Sequence, residues 1–326
     1  LSLSECELQG GDMVEAIKVA YVFPGQESHS VGMGLDLYVH YSSAREVFDE
    51  VDKALGFPLS HLCFEGPQED LRQTINVQPA VLTTSIACLR AAQEVSKNGI
   101  PEPTFVAGHD VGTYAALVAA GALSLSDAVR LIRERGRLMN EAGQRAAGGM
   151  VSMTGLDIEV FKNISFSTGA EIAYIDAPDQ VTLSGSQESL TKAKRLAQIK
   201  GARRILPLRV SGPFNSSLME PAITRLRNAI SEFNFNKPSF PIVANATAQP
   251  LTDLEAIKEE LVSQIVRPVQ WQQSVETMIT QGVTTFFEMG PGEMLTKLIK
   301  RISPGAQTFN ISSAQTISEI TRWRRG

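Results

Sequence analysis

Thr104-Phe105-Val106-Ala107-Gly108-His109-Asp110-Val111-Gly112, with Tyr114–Ala120 directly behind it, is the stretch from which the fold is read. Thr104–Ala107 is a short strand. It runs straight into Gly108-His109-Asp110-Val111-Gly112, which has the G-x-nucleophile-x-G form of a strained strand-to-helix elbow. Glycine permits the tight turn because it lacks a Cβ. The turn lifts Asp110 to the N-terminus of the Tyr114–Ala120 helix, where backbone N–H groups and a positive dipole suit an oxyanion or a carboxylate. The same order recurs on either side. Ile17–Phe23 is an apolar strand that ends in Pro24-Gly25. Helical patterns follow at Ser43–Leu55, Pro67–Arg72 and Gln78–Lys97, and again at Leu125–Ala147, with Ser126-Asp127 expected as its cap. Strand, turn and helix in repetition predict a parallel α/β sheet.

The rhythm changes after Gly148-Gly149. Met150–Thr154 reads as a strand and Asp157–Asn163 as a helix. Glu171–Ile175 and Gln180–Ser184 form a hairpin around Ala177-Pro178-Asp179, followed by a helix at Ser189–Lys200 and a strand at Ala202–Val210. That βαββαβ order is a ferredoxin-like unit. From Ser211 longer helical patterns resume, with strands at Ile242–Asn245 and Thr284–Met289. The expected organisation is an α/β core over 13–147 and 211–326 with a ferredoxin-like insert over 148–210. Met13 precedes the first patterned segment, so residues 1–12 are expected to be an upstream extension or a leftover of cloning.

Composition narrows the function classes. The chain has 326 residues, 43% hydrophobic and 20% charged, which fits a globular protein and excludes a disordered one. Its net charge is −5, and the basic runs Lys192-Ala193-Lys194-Arg195 and Arg322-Trp323-Arg324-Arg325 read as solvated surface, so no nucleic-acid partner is expected. Cys6, Cys63 and Cys88 show no zinc-ligand spacing, and unpaired thiols predict a reduced, cytoplasmic setting. The longest apolar stretch, Tyr114–Leu123, contains Gly121 and is too short for a bilayer, so no membrane association is expected.

Further motifs give the elbow a context. They are Phe23-Pro24-Gly25-Gln26, Arg133-Glu134-Arg135-Gly136, Ala177-Pro178-Asp179-Gln180-Val181, Gly212-Pro213-Phe214-Asn215-Ser216-Ser217-Leu218-Met219, Pro268-Val269-Gln270-Trp271 and Glu288-Met289-Gly290-Pro291-Gly292. Thr74 and Gln78-Pro79 fit the same pattern. In this order, from about Val19 to Ile299, they resemble the malonyl-CoA:acyl carrier protein transacylases, which are also the acyltransferase domains of fatty acid and polyketide synthases. The resemblance implies a hydrolase-like α/β core with a ferredoxin-like insert. It implies malonyl-CoA or another acyl-CoA as ligand or substrate, an acyl carrier protein as partner, and no resident cofactor or metal. It also implies residue roles: Gln26 and the Val111 N–H as oxyanion hole, Arg135 as clamp for the free malonyl carboxylate, and Gln264, Gln78 and Gln180 around the substrate. His109 would support the turn.

The sequence departs from the family at the two positions that carry the chemistry. The family elbow reads GHSxG, and its Ser attacks the thioester; here Asp110 stands there. The family's general-base His is Asn215 here. Thr113 replaces the usual Glu, and the loop usually written GQGSQ is Gly25-Gln26-Glu27-Ser28-His29. A Ser–His pair works because imidazole takes the hydroxyl proton and returns it to the leaving group. An Asn amide cannot. The expectation is a pseudoenzyme that binds acyl-CoA or carrier protein, with Asp110 paired to Arg135. The alternative is an active acyltransferase or thioesterase that uses non-standard residues, His29 among the candidates for a base.

Overall fold

The computed structural model describes residues 17–95 and 100–323. The expected extension, Cys6, the last two residues of the Gln78–Lys97 helix and the end of the terminal basic run lie outside the described residues. The strands are β1 (Lys18–Phe23), β2 (Phe105–Gly108), β3 (Gly148–Thr154), β4 (Glu171–Ala177), β5 (Gln180–Ser186), β6 (Arg204–Pro207), β7 (Ile242–Val243), β8 (Pro250–Leu251), β9 (Val283–Met289) and β10 (Gln307–Ile311). The helices of the first half are α1 (Leu35–His40), α2 (Ser42–Leu55), α3 (Leu59–Glu65), α4 (Gln68–Arg72), α5 (Thr74–Val95), α6 (Gly112–Ala119) and α7 (Leu125–Arg145). Those of the second are α8 (Ile158–Thr168), α9 (Gln187–Ile199), α10 (Glu220–Ser231), α11 (Leu254–Ser263), α12 (Trp271–Thr280), α13 (Met294–Ile302) and α14 (Ala314–Trp323).

Six strands form one sheet in the order β10-β9-β1-β2-β7-β8. All its pairs are parallel except β7–β8. Helices cover both faces of such a sheet, so its central strands are continuous apolar runs. In β1 every residue after Lys18 is buried, and β2 is buried throughout. The chain passes from β1 to β2 on one side and later returns to β9 on the other. Ligands of open α/β sheets bind in the crevice at such a switch point, beyond the carboxyl ends of the strands. The Gly25-Gln26 loop, the elbow, Asn245 and Gly290 therefore all emerge at one edge.

The second sheet is antiparallel in the order β4-β5-β3-β6, with α8 and α9 packed on it, which is the ferredoxin-like arrangement. It has its own core of Val151, Met153, Phe161, Ile164, Leu183 and neighbours. Ala173, Tyr174 and Ala177 of β4 belong instead to the main core. Backbone bonds join the two bodies there: the Ile175 N–H donates to Val269 O at 2.9 Å, and the Val269 N–H donates to Ala173 O at 2.8 Å.

Several expected elements are corrected. α5 starts at Thr74, not at Gln78, and continues through Pro79. Most of its residues are buried, so packing on every side overrides the proline. The cap of α7 is Ser124, whose hydroxyl accepts the Asp127 N–H at 3.0 Å, and Ser126 lies inside the helix. The expected strand Ala202–Val210 shortens to Arg204–Pro207, an edge strand where a proline without an N–H is tolerated. Among the described residues, no helix is long and apolar enough to cross a membrane.

Candidate active site

The elbow can form because glycine stands at positions 108 and 112. A Cβ on Gly108 would lie 1.9 Å from the Gly112 carbonyl carbon, and one on Gly112 would lie 2.2 Å from Phe23 O. Between them Asp110 takes φ +50°, a left-handed conformation that costs a side-chain-bearing residue about 1–3 kcal/mol. Asn245, at the end of β7, holds the turn from both sides. Its Oδ1 accepts the Asp110 N–H and its Nδ2 donates to Gly108 O, each at 2.7 Å. The Asn245 N–H is in turn bound by Glu260 at 2.6 Å.

Arg135 reaches the elbow from α7 with a fully buried side chain. Its Nη2 donates to Asp110 Oδ1 at 2.6 Å, and Asp110 is itself 1% exposed. The other guanidinium nitrogens, Nε and Nη1, make no hydrogen bond. A carboxylate from the chain itself thus occupies the guanidinium on which the resemblance places the malonyl carboxylate.

Asn215, also at positive φ (+53°), donates through Nδ2 to Gln264 O at 2.9 Å, and its Oδ1 has no partner. Gln264 Nε2 donates to Asp110 O at 3.2 Å and to Thr113 Oγ1 at 2.9 Å. The Gln264 amide therefore braces the elbow from beneath, with Thr113 as its second anchor. Gln26 is buried after β1, and its Oε1 accepts from Gln78 Nε2 at 3.4 Å. Val111 is buried at the head of α6. Gln180 does not join this group. It donates to Asp176 Oδ2 at 3.3 Å and accepts from Arg301 at 2.6 Å, at the start of β5.

Two histidines lie close by, and both are engaged. His109 Nε2 pairs with Asp176 Oδ1 at 2.9 Å, while its ring packs edge-on against Tyr174 and Trp271. Burial opposes charge on His109, but the hydrogen bond and charge of Asp176 outweigh it and raise its pKa. His29 Nδ1 bonds Gln26 O at 2.7 Å, and burial lowers its pKa. Glu27, in the same loop, has both carboxylate oxygens buried with no hydrogen bond from another residue. Burial, above all, pushes its pKa up to about 7; Asp110 and Asp176 add to the rise, while His109 and the residue's own backbone N–H oppose it.

A cavity of about 450 Å³ opens beside this cluster, between the Gln26 loop and β6. Gln26, Glu27, His29, Arg72, Val77 and Arg209 form part of its wall. Asp110, Arg135, Asn215 and Gln264 are buried and not part of that wall. Cys63 and Cys88 are buried with thiols pushed far up by desolvation, which suits packing and not nucleophilic attack. Sequence reading did not find Asn245, Asp176 or Glu260. All three act through contacts distant in sequence, and no local motif marks them.

The acyl transferase domain family matches residues 20–325. The chain is 42% identical over 305 residues to the malonyl CoA-acyl carrier protein transacylase of Bacillus subtilis (strain 168), covering 92% of this chain and 95% of that one. It is 40% identical over 287 residues to the transacylase of the same name from Escherichia coli (strain K12), covering 87% and 92%. Among solved structures it resembles an acyl carrier protein S-malonyltransferase from Vibrio cholerae, with TM-score 0.88, 36% identity and coverage of 93% and 99%. A malonyl-transacylase in complex with its type II PKS acyl-carrier protein is similar to it with TM-score 0.88, 36% identity and coverage of 95% and 100%.

Proposed function

From the premise that this chain belongs to the acyl transferase domain family, among the malonyl CoA-acyl carrier protein transacylases of fatty acid and polyketide biosynthesis, we propose that it is a catalytically impaired member. In this reading it binds acyl-CoA, malonyl-CoA in particular, or acyl carrier protein, and passes no acyl group through a covalent enzyme intermediate.

One observation carries the reading: the side chain on the elbow is a carboxylate locked 2.6 Å from Arg135, and the residue at the base position is an amide donating to a carbonyl. Each half of the transfer chemistry is affected. An Asp110 carboxylate attacking a thioester would give a mixed anhydride, which is less stable than the thioester consumed. Asn215 cannot accept a proton near neutral pH. Loss of nucleophile or base in comparable hydrolases lowers turnover about a million-fold. Two features support retained binding: Gln26 is buried beside the cavity, and Val111 stands at a helix N-terminus.

The test is incubation with radiolabelled malonyl-CoA, then denaturation and counting. The expected result is no retained label, with binding still measurable by calorimetry. Stoichiometric label would overturn the reading and direct attention to Ser28 or Ser216. The double variant Asp110→Ser, Asn215→His should take up label, because the scaffold that holds the elbow is unchanged.

A further inference from the structure

A buried carboxylate is costly unless it is paired or hydrogen-bonded, and neither Glu27 oxygen meets a donor from another residue; only its own backbone N–H and the charge of His109 ease its ionisation. It directly follows Gln26, and both residues help to wall the 450 Å³ cavity. Its carboxylate faces the elbow side of the loop. The Cβ position of Gly25 lies 3.2 Å from Glu27 Oε2 and 3.1 Å from His109 Nδ1, a nitrogen that is also buried without a partner.

We propose that Glu27 is a general base with which this chain hydrolyses the thioester it binds, in one step and without an acyl-enzyme. The proposal rests on the reading that the site takes a coenzyme A or carrier-protein thioester. Gln26 and the Val111 N–H would hold the thioester carbonyl. Glu27 takes a proton from a water molecule, and the water oxygen bonds to the carbonyl carbon. The tetrahedral adduct collapses, the C–S bond breaks, and the proton held by Glu27 passes to the departing thiolate. The products are the free acid and the thiol. No nucleophile on the elbow and no base at Asn215 is used.

The surroundings suit the role. The groups facing Glu27 are His109 and Asp110 on the elbow and Asp176 on β4; Arg135 lies behind Asp110. His29, Arg72 and Arg209 line the cavity that Glu27 shares. With a pKa of about 7, the carboxylate is half ionised at neutral pH, where a general base works best.

The experiment uses the full chain with malonyl-CoA and reads free thiol release, alongside calorimetric affinity. Wild type should release thiol above the buffer rate, rising with pH through about 7 as Glu27 ionises. Glu27→Gln should cut the rate about 100-fold or more at unchanged affinity. Glu27→Gly should do the same, and Glu27→Asp should retain part of the activity and the pH limb. A single turnover in ¹⁸O-water should place the label only in the released acid. Binding without thiol release, or equal rates for wild type and Glu27→Gln, overturns the inference and leaves the proposed function standing. ¹⁸O in the Asp110 carboxylate overturns it too, because the acyl group would then have passed through an anhydride. Failure to bind either malonyl-CoA or acetyl-CoA overturns both readings.

Discussion

Asp110 and Arg135 are each buried, and each is the other's counter-charge. Removing one member of such a pair leaves an uncompensated ion, which typically costs about 3–5 kcal/mol. Asp110→Asn keeps the size of the side chain and removes its charge, so the free variant should be less stable by about that amount. Malonyl-CoA should then restore the missing carboxylate. Its affinity should rise and its presence should recover the melting temperature, while acetyl-CoA should do neither. Equal thermal shifts with the two thioesters would show that Arg135 does not meet the acyl group. Glu27 makes an opposite prediction. Burial first, then Asp110 and Asp176, raise its pKa from 4.5 to about 7. Its contribution is fully present below pH 4.5 and declines as pH climbs to about 7, because the unfolded chain gives up that proton first. The decline is worth up to about 3 kcal/mol. Glu27→Gln should flatten it, so that denaturant melts at pH 8 show a more stable variant and those at pH 4 show little change. Asp110, Arg135, Asn215 and Gln26 could be found from sequence because each sits in a motif with local spacing. Asn245 and Asp176 could not, since what defines them is the side chain they meet across the fold.

Among elements, α5 and α7 cross in close contact. A Cβ on Gly136 would stand 2.8 Å from Thr74 O and 3.1 Å from Ile75 Cα, so α7 touches the first turn of α5 through that glycine. Gly136→Ala would force two backbones apart and should destabilise by about 1–3 kcal/mol. Because Arg135 is the preceding residue, the same shift should weaken its contact with Asp110. The check is chemical denaturation of the variant, with the ligand-induced change in melting temperature as second readout. The strand-and-helix sequence was legible here because apolar runs and glycine turns are local signals. The start of α5 was less so: Pro79 marks a helix beginning by its own preference, whereas burial carries the helix back to Thr74. β8 and β10 were not foreseen. Pro250–Leu251 is too short for any periodicity, and Gln307–Ile311 gains its strand character from pairing with β9.

In the whole molecule, the two packed bodies meet along β4 and Val269, and the cavity lies between the Gln26 loop and β6. An edge of this kind opens more readily than the centre of a buried sheet. The amides of Ile175 and Val269 should therefore exchange hydrogen faster than those of β1. Seam amides that exchange as slowly as those of β1 would show that the two bodies do not part there. The ferredoxin-like insert was legible because its βαββαβ order is contiguous in sequence. The way β4 gives Ala173, Tyr174 and Ala177 to the larger core was not, since the alternation of a strand does not say which body its inner face will join.

The 2.6 Å pair at the elbow also changes what kind of equilibrium binding is. A resin bead loaded with its own counter-ion takes up a second anion only by exchange, and exchange leaves the bead's charge as it was. Under the proposed function, a malonyl carboxylate arriving at Arg135 would meet that situation, one carboxylate trading places with another that is tethered to the protein and never leaves. The tether sets a permanent local competitor that neither dialysis nor dilution can wash out. In that reading, selectivity for a free carboxylate would become a contest between two anions for one guanidinium, decided by how far the elbow lets Asp110 swing away.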